Sequence, residues 1–280
     1  MQYLSYALQQ EHIINRFLVS ETHVQPVKGE AVIIQKEANV WEGSVGAASH
    51  VNPVRETFVK QRREAIEPYP TFTEKVVGGS VLYGGKELEL SARFPFNDPV
   101  LSLSGFYPNP TWISATAITF LDAMKPMDLG CELSVCGGAR IWVNQQLIAT
   151  FTPHVRNQMQ QKHITLPLRQ GENEVVVFWD EFAERDSDCN FSLTLDSKVE
   201  GLVQKLPIGE RDAALVLAVE EALGNLSCKS NHVRTGEVEL FCPNPYENQN
   251  LEIHLAGATE ENFMVGDLYE TTAVFLPSKS

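Results

Sequence analysis

Residues 136–195 read CGGARIWVNQQLIATF, TPHVRNQMQQKHITLPLRQ, GENEVVVFWDEFAERDSD and CNFSLTL, and this pattern decides the fold. Ile141, Trp142 and Val143 form one short β-prone run, and Leu147, Ile148 and Ala149 another. Asn144-Gln145-Gln146 between them is a polar break of hairpin size, and Asn tolerates the left-handed backbone of a tight turn. Ile164, Leu166 and Leu168 alternate with polar or turn residues and lead into a second turn, Gly171-Glu172-Asn173. Val175 to Trp179 is continuously apolar, which fits either a strand covered on both faces or a sandwich-core strand. Phe191, Leu193 and Leu195 alternate again after a polar corner, Glu184-Arg185-Asp186. The stretch reads as the second half of an antiparallel β-sandwich.

Working outward, residues 86–94 carry the clearest period of two, with Leu88, Leu90, Ala92 and Phe94 on one side and charges or Ser91 on the other. Pro95 and Pro99 end that strand, since proline cannot donate to a ladder. Residues 112–121 are rich in β-branched residues and predict another strand. Nearer the N-terminus, Ile13-Ile14, residues 17–19 and residues 32–34 predict short strands or straps, while 38–56 reads as a loop with Trp41 at its start. After Asp196 the period changes. Residues 210–226 predict one long helix, with Leu215, Val219, Ala222 and Leu226 on a single face and Gly224-Asn225 as its stop. The expected architecture is mainly β: an antiparallel jelly-roll sandwich followed by a small α+β unit. The expected divisions are 1–69 for N-terminal strands and straps, 70–197 for the sandwich and 198–280 for the α+β unit.

Two pieces of this pattern resemble a known family. Trp142-Val143-Asn144 followed by Leu168, Gly171 and Asn173 is similar to the jelly-roll, galactose-binding-like module at the N-terminus of β-galactosidase-like and rhamnosidase-like glycoside hydrolases. Gln145 stands where that pattern carries Gly. The resemblance covers roughly 60 residues and marks a fold better than an activity. It implies an ancillary module of a bacterial-type enzyme, with catalytic residues in another domain.

Composition narrows the partners. The chain has 280 residues, 43% hydrophobic and 21% charged, with a formal net charge of −14. Those proportions are those of a globular protein long enough for two cores. The charge argues against nucleic acid and against an anionic membrane surface, and it suits a neutral sugar. Residues 60–63 hold the one basic cluster, followed by Glu64 and Glu67. Residues 1–10 lack the basic and apolar regions of a secretory signal, so a cytoplasmic location is expected. Five cysteines without paired spacing read as free, buried thiols.

The candidate sites are few. Glu181, Glu184, Asp186 and Asp188 surround Arg185, and the first reading is an ion-pair corner in which Glu184, Arg185 and Asp186 tie two strands together. The second reading is a glycosidase carboxylate pair. Asp186-Ser187-Asp188-Cys189-Asn190 opens like a calcium loop, but Phe191 and Ser197 replace its Gly and Glu, so no cofactor is expected beyond a structural calcium ion. The seven histidines show no zinc spacing. Loops at one end of such a sandwich offer rings and polar groups to sugars, and Trp112, Arg156 and Asn157 are the ligand candidates there. The leading expectation is therefore a non-catalytic, weakly sugar-binding region that supports a downstream catalytic domain. A self-contained glycoside hydrolase using residues 181–188 and a protein-interaction sandwich are the alternatives.

Overall fold

The computed structural model describes residues 2–8, 12–27, 59–60, 62–63, 66, 68–76, 79–83, 85–93, 95, 98–210 and 212–225, with four short strands beyond them. The first strands are β1 (Gln2–Ala7), β2 (Ile13–Ile14), β3 (Phe17–Ser20), β4 (His23–Pro26), β5 (Val32–Ile33) and β6 (Ser44–Val45). Then come β7 (Ser80–Tyr83), β8 (Lys86–Arg93), β9 (Leu101–Ser102), β10 (Gly105–Ala123), β11 (Met127–Cys136), β12 (Gly138–Val143) and β13 (Gln146–Phe151). The remaining elements are β14 (Gln160–Leu168), β15 (Gly171–Ser187), β16 (Asn190–Leu195), β17 (Leu202–Gly209), the helix α1 (Ala213–Gly224), β18 (Ser227–Cys228) and β19 (Leu240–Phe241).

Two antiparallel sheets face each other, as expected of a mainly β sandwich. The larger runs β13-β12-β15-β10-β3-β8-β7, and the smaller runs β14-β11-β16-β2 with β9 on β16. β10 and β15 are its spine, paired from Gly105↔Ser187 to Ala123↔Gly171. The other edge of β10 is shared in turn by β4, β3 and β17. Pro108 and Pro110 cannot donate to the ladder, and there the register slips between Tyr107 and Thr111.

Alternation along the spine separates two cores. Ile113, Ala115, Ala117, Val175, Val177 and Trp179 point between the sheets, against Leu133, Leu166 and Leu193 of the smaller sheet. Trp112, Ile118, Phe120, Val176, Phe178 and Phe182 point to the opposite face, where Val59, Phe72, Val81 and Tyr83 cover them. The apolar run 175–179 is therefore a strand buried on both faces, because a strap carrying Val59 and Phe72, together with Val81 and Tyr83, covers the outer side of the large sheet.

The hairpin between β12 and β13 turns on Asn144 and Gln145 alone, both with positive φ (49° and 68°). That is the conformation of a type I′ turn, in which a glycine at the second position is usual. Gln145 occupies it and donates from Nε2 to Glu174 at 2.6 Å, while the Glu174 carboxylate also accepts the Val76 N–H at 3.0 Å. Burial pushes the Glu174 carboxyl up despite these donors. Gly137 carries the chain from one sheet to the other at φ 108°, and a Cβ there would stand 2.4 Å from the Asp180 carbonyl oxygen.

Two compact units result, 3–209 and 210–280, with Gln2 grouped with the second. The first unit extends past residue 197 because β17 joins the large sheet. The helix is shorter than 210–226: Asp212 lies just outside it, and its Oδ1 accepts the N–H groups of Ala214 (2.9 Å) and Leu215 (3.3 Å) as an N-cap. Leu215, expected on the covered face, is 38% exposed. Cys131, Cys136 and Cys189 are free and buried, and burial pushes the Cys131 and Cys136 thiols up to about 12. No helix among the described residues is long and apolar enough to cross a membrane. Trp41 and Cys242 lie outside the described residues.

Candidate functional site

At one end of the sandwich, β10 begins beside the end of β15. Phe106 is directly opposite Asp186 and Tyr107 opposite Arg185, and directly opposed residues share a face of the sheet. Phe106 is 66% exposed; Asp186 is exposed on the same face, Arg185 is exposed opposite Tyr107, and Asp188 is exposed just past the end of β15. The loop after β13 packs against this end. Arg156 donates to the carbonyls of Glu184 (3.3 Å) and Asp186 (2.6 Å). Asn157 donates from Nδ2 to the Asp186 carbonyl at 3.1 Å and accepts the Asp188 N–H on Oδ1 at 2.9 Å. The loop after Phe151 and the first residues of β10 thus both meet the β15 corner.

The individual residues take other parts than those expected of them. Trp112 is fully buried and donates its indole N–H to Asp180 at 2.8 Å, so its ring offers no face to a ligand. Arg156 and Asn157 spend these donors on protein carbonyls and brace the corner. The corner is closed by Ser187, whose Oγ donates to the Glu184 carbonyl (3.1 Å) and accepts the Glu184 N–H (3.0 Å). Arg185 is exposed at φ 57°. Glu181 is 1% exposed and accepts the Phe182 N–H at 2.6 Å, out of reach of a sugar. Phe106 is the residue that sequence reasoning missed, because FYPNP reads as a proline-broken loop.

This geometry separates two arginines. Arg156→Ala should lower the melting temperature by several degrees, since the loss of a charge-assisted pair of bonds costs about 1.5–3 kcal/mol. Arg185→Ala should change it by less than about 2 °C, the ordinary outcome at an exposed position. Differential scanning fluorimetry of both variants checks the contrast.

Within the calcium-like opening at residues 186–190, Asn190 Oδ1 accepts the Ser104 hydroxyl at 2.8 Å. The Asp186 carbonyl is already served by a guanidinium. Among the described residues no group of three or more His, Cys, Asp or Glu is arranged to hold a metal.

A second constellation lies beneath the strap, on the outer face of the large sheet. Asp180 is fully buried and accepts three hydrogen bonds on Oδ2: from Trp112, from the Tyr69 hydroxyl (3.2 Å) and from His154 Nε2 (3.2 Å). Arg63 Nη2 stands 3.1 Å from the other nitrogen of His154, and the Arg140 guanidinium lies 3.2 Å from the Tyr69 ring centre. Burial alone would raise the Asp180 carboxyl. The charge and hydrogen bond of His154, the Trp112 donor and the Arg140 charge outweigh it and hold the carboxyl below its ordinary value. Gly138 makes room for this cluster, since a Cβ there would stand 2.8 Å from the His154 ring. These residues are scattered from 63 to 180 and leave no local spacing to read.

An open depression of about 730 Å³ lies elsewhere on the first unit, lined by Ser20, Glu21, Thr22, Ser91, Arg93 and Asp98 among others. Its lining mixes these polar groups with Val19, Ala92, Pro95 and Leu103, and its described lining includes no aromatic ring.

No protein-family model matches the chain, and a search of the curated proteins finds no match. Several solved structures are similar over part of it. A family 35 carbohydrate binding module from Clostridium thermocellum shares 13% identity over 35% of this chain and 88% of its own, at a TM-score of 0.24. Another family 35 module, from an environmental isolate, shares 19% identity over 38% of this chain and 80% of its own, at 0.26. A β-glucosidase from Kluyveromyces marxianus in complex with glucose shares 15% identity over 50% of this chain and 17% of its own, at 0.31. Likenesses this slight carry no inference about ligand or reaction, which rest instead on the geometry of the sandwich end.

Proposed function

We propose that the first unit is a carbohydrate-binding-like β-sandwich module that takes a neutral sugar at the Phe106 end. The observation that carries this reading is the exposed Phe106 ring directly opposite the exposed Asp186. A sugar presents an apolar C–H face and a rim of hydroxyls. An exposed ring receives the first, and a carboxylate beside it receives the second. The strand pattern at Trp142-Val143-Asn144 and Leu168, Gly171 and Asn173 supports the same reading by its resemblance to sugar-binding modules of glycoside hydrolases. The proposal includes a non-catalytic role for this unit beside a separate catalytic domain of a carbohydrate-active enzyme.

Such an open site buries little of a ligand, so affinity for a monosaccharide is expected in the millimolar range, about −4 kcal/mol. Phe106→Ala should weaken it by about tenfold, the effect of losing one ring contact and its buried area. Affinity electrophoresis in gels carrying galactose-, glucose-, mannose- or xylose-based polysaccharides tests this. Retardation of the natural protein that Phe106→Ala abolishes is the expected result. Retardation unchanged in Phe106→Ala would move the site elsewhere, and migration unaffected by every polysaccharide would remove the sugar role.

A further inference from the structure

We propose that the Phe106 end sorts sugars by charge: it takes a sugar bearing a protonated amine more tightly than the neutral counterpart, and Asp186 sets that preference. This rests on the sugar reading above and narrows the class of ligand.

Strand register separates the charges of the corner. Asp186 is directly opposite Phe106, so the carboxylate and the ring share a face. Arg185 is opposite Tyr107, a residue packed against the core between the sheets. The cation nearest in sequence to Asp186 is thus paired with a different residue of β10. The other guanidinium of the corner, Arg156, donates from Nη2 to the carbonyls of Glu184 and Asp186. Asn157 donates to the same Asp186 carbonyl and accepts the Asp188 N–H.

These bonds fix the main chain at Asp186 and leave its side chain alone. Among the described residues, no hydrogen-bond donor or ion-pair partner reaches the Asp186 carboxylate. The side chain is exposed, so both oxygens can accept from a ligand. Glu184, Asp186 and Asp188 set three carboxylates at this corner against the guanidinium groups of Arg156 and Arg185, within a chain of net charge −14.

A pyranose stacked by its C–H face on Phe106 brings its rim to the neighbouring strand, about 5 Å away. A hydroxyl there makes a hydrogen bond in which only the acceptor is charged. An ammonium makes one in which both partners are charged, and the ring face also attracts a cation. A uronate meets a like charge. The pair is exposed to solvent, so the gain over a hydroxyl is modest, about fivefold in affinity.

Amide-shift titrations of the isotope-labelled full chain test this. Glucosamine, galactosamine and mannosamine are compared with glucose, galactose and mannose at about pH 6, where such an amine carries its proton. Dissociation constants are read from residues 105–107 and 185–188. The amine-bearing member of at least one pair should bind about fivefold more tightly, and glucuronate should bind more weakly than glucose. In about 1 M salt, where the screening length is about 3 Å, the advantage should fall below about twofold. In Asp186→Asn the two members of the pair should bind alike. That substitution changes an exposed side chain, so the fold should be kept. Equal affinities within every pair that binds would overturn the charge preference and leave the sugar reading standing. An amine advantage that persists in Asp186→Asn would overturn the part given to Asp186. Binding of no sugar in either class would overturn both readings together.

Discussion

Asp180→Ala should destabilise the first unit by about 3–5 kcal/mol, the cost of removing one partner from a buried charged cluster. The carboxylate has no exposure and gathers the Trp112 indole, the Tyr69 hydroxyl and His154, with Arg140 near enough to hold its carboxyl down. Alanine leaves those donors pointing into a dry site and the guanidinium groups without their anion. Asp180→Asn keeps the volume and one acceptor oxygen, so a smaller loss is expected. Exposed Asp188→Ala is the control, and its effect should stay within about 0.5 kcal/mol. Urea denaturation followed by tryptophan fluorescence gives the three values. The pH dependence has a fixed sign. A carboxyl held below its unfolded value stabilises fully above that value, about 3.9 for Asp, and the contribution fades as pH falls through the lower, folded value. The natural protein should therefore lose stability in acid below about pH 4 more steeply than Asp180→Asn does.

Asn173→Ala should cost about 3 kcal/mol, since each buried polar group left without a partner costs about 1–3. The side chain is fully buried. Its Nδ2 donates toward the carbonyls of Leu121 (3.2 Å), Arg169 (2.8 Å) and Gly171 (2.8 Å). Its Oδ1 accepts from Asn144 Nδ2 (2.8 Å) and from the Arg169 N–H (2.9 Å). One amide thus joins the turn before β15, the spine strand β10 and the hairpin turn. Asn173→Asp separates packing from hydrogen bonding. It has the same shape but sets a carboxylate against three carbonyls, and it should be at least as damaging as alanine. A lowered urea midpoint with an unchanged slope is the expected signature of both variants.

That amide also explains what the sequence pattern near Trp142 encodes. Asn144 and Asn173 stand 29 positions apart and hydrogen-bond to each other, so the two halves of the pattern are one fastening of the fold. This is why the strands, the hairpin and the sandwich were legible from residues 136–195: alternation and turn chemistry act over a few residues. Straps were expected over 1–69, but not which face they cover, because that face is made by residues far along the chain. The double burial of Val175 to Trp179 left two readings open, and only the contact of Phe72 and Tyr83 with that face decides between them.

The site was legible in outline and not in detail. Arg156 and Asn157 belong to the end where a ligand was expected, yet their donors go to the β15 corner, whose backbone carbonyls needed them. A sequence shows which residues carry donors and not which acceptors claim them first. Trp112 followed the same rule from the other side. On a strand buried on both faces, its indole N–H needed a buried acceptor, and Asp180 supplies it.

The central claim is that a sugar is held at the Phe106 end. Amide-shift titration of the isotope-labelled chain with galactose, glucose, mannose and xylose tests it residue by residue. The account predicts saturable shifts at 105–107 and 185–188 with at least one of these sugars, lost in Phe106→Ala. Shifts confined to Ser91, Arg93 and Asp98 around the open depression, or none at any sugar concentration, would contradict it.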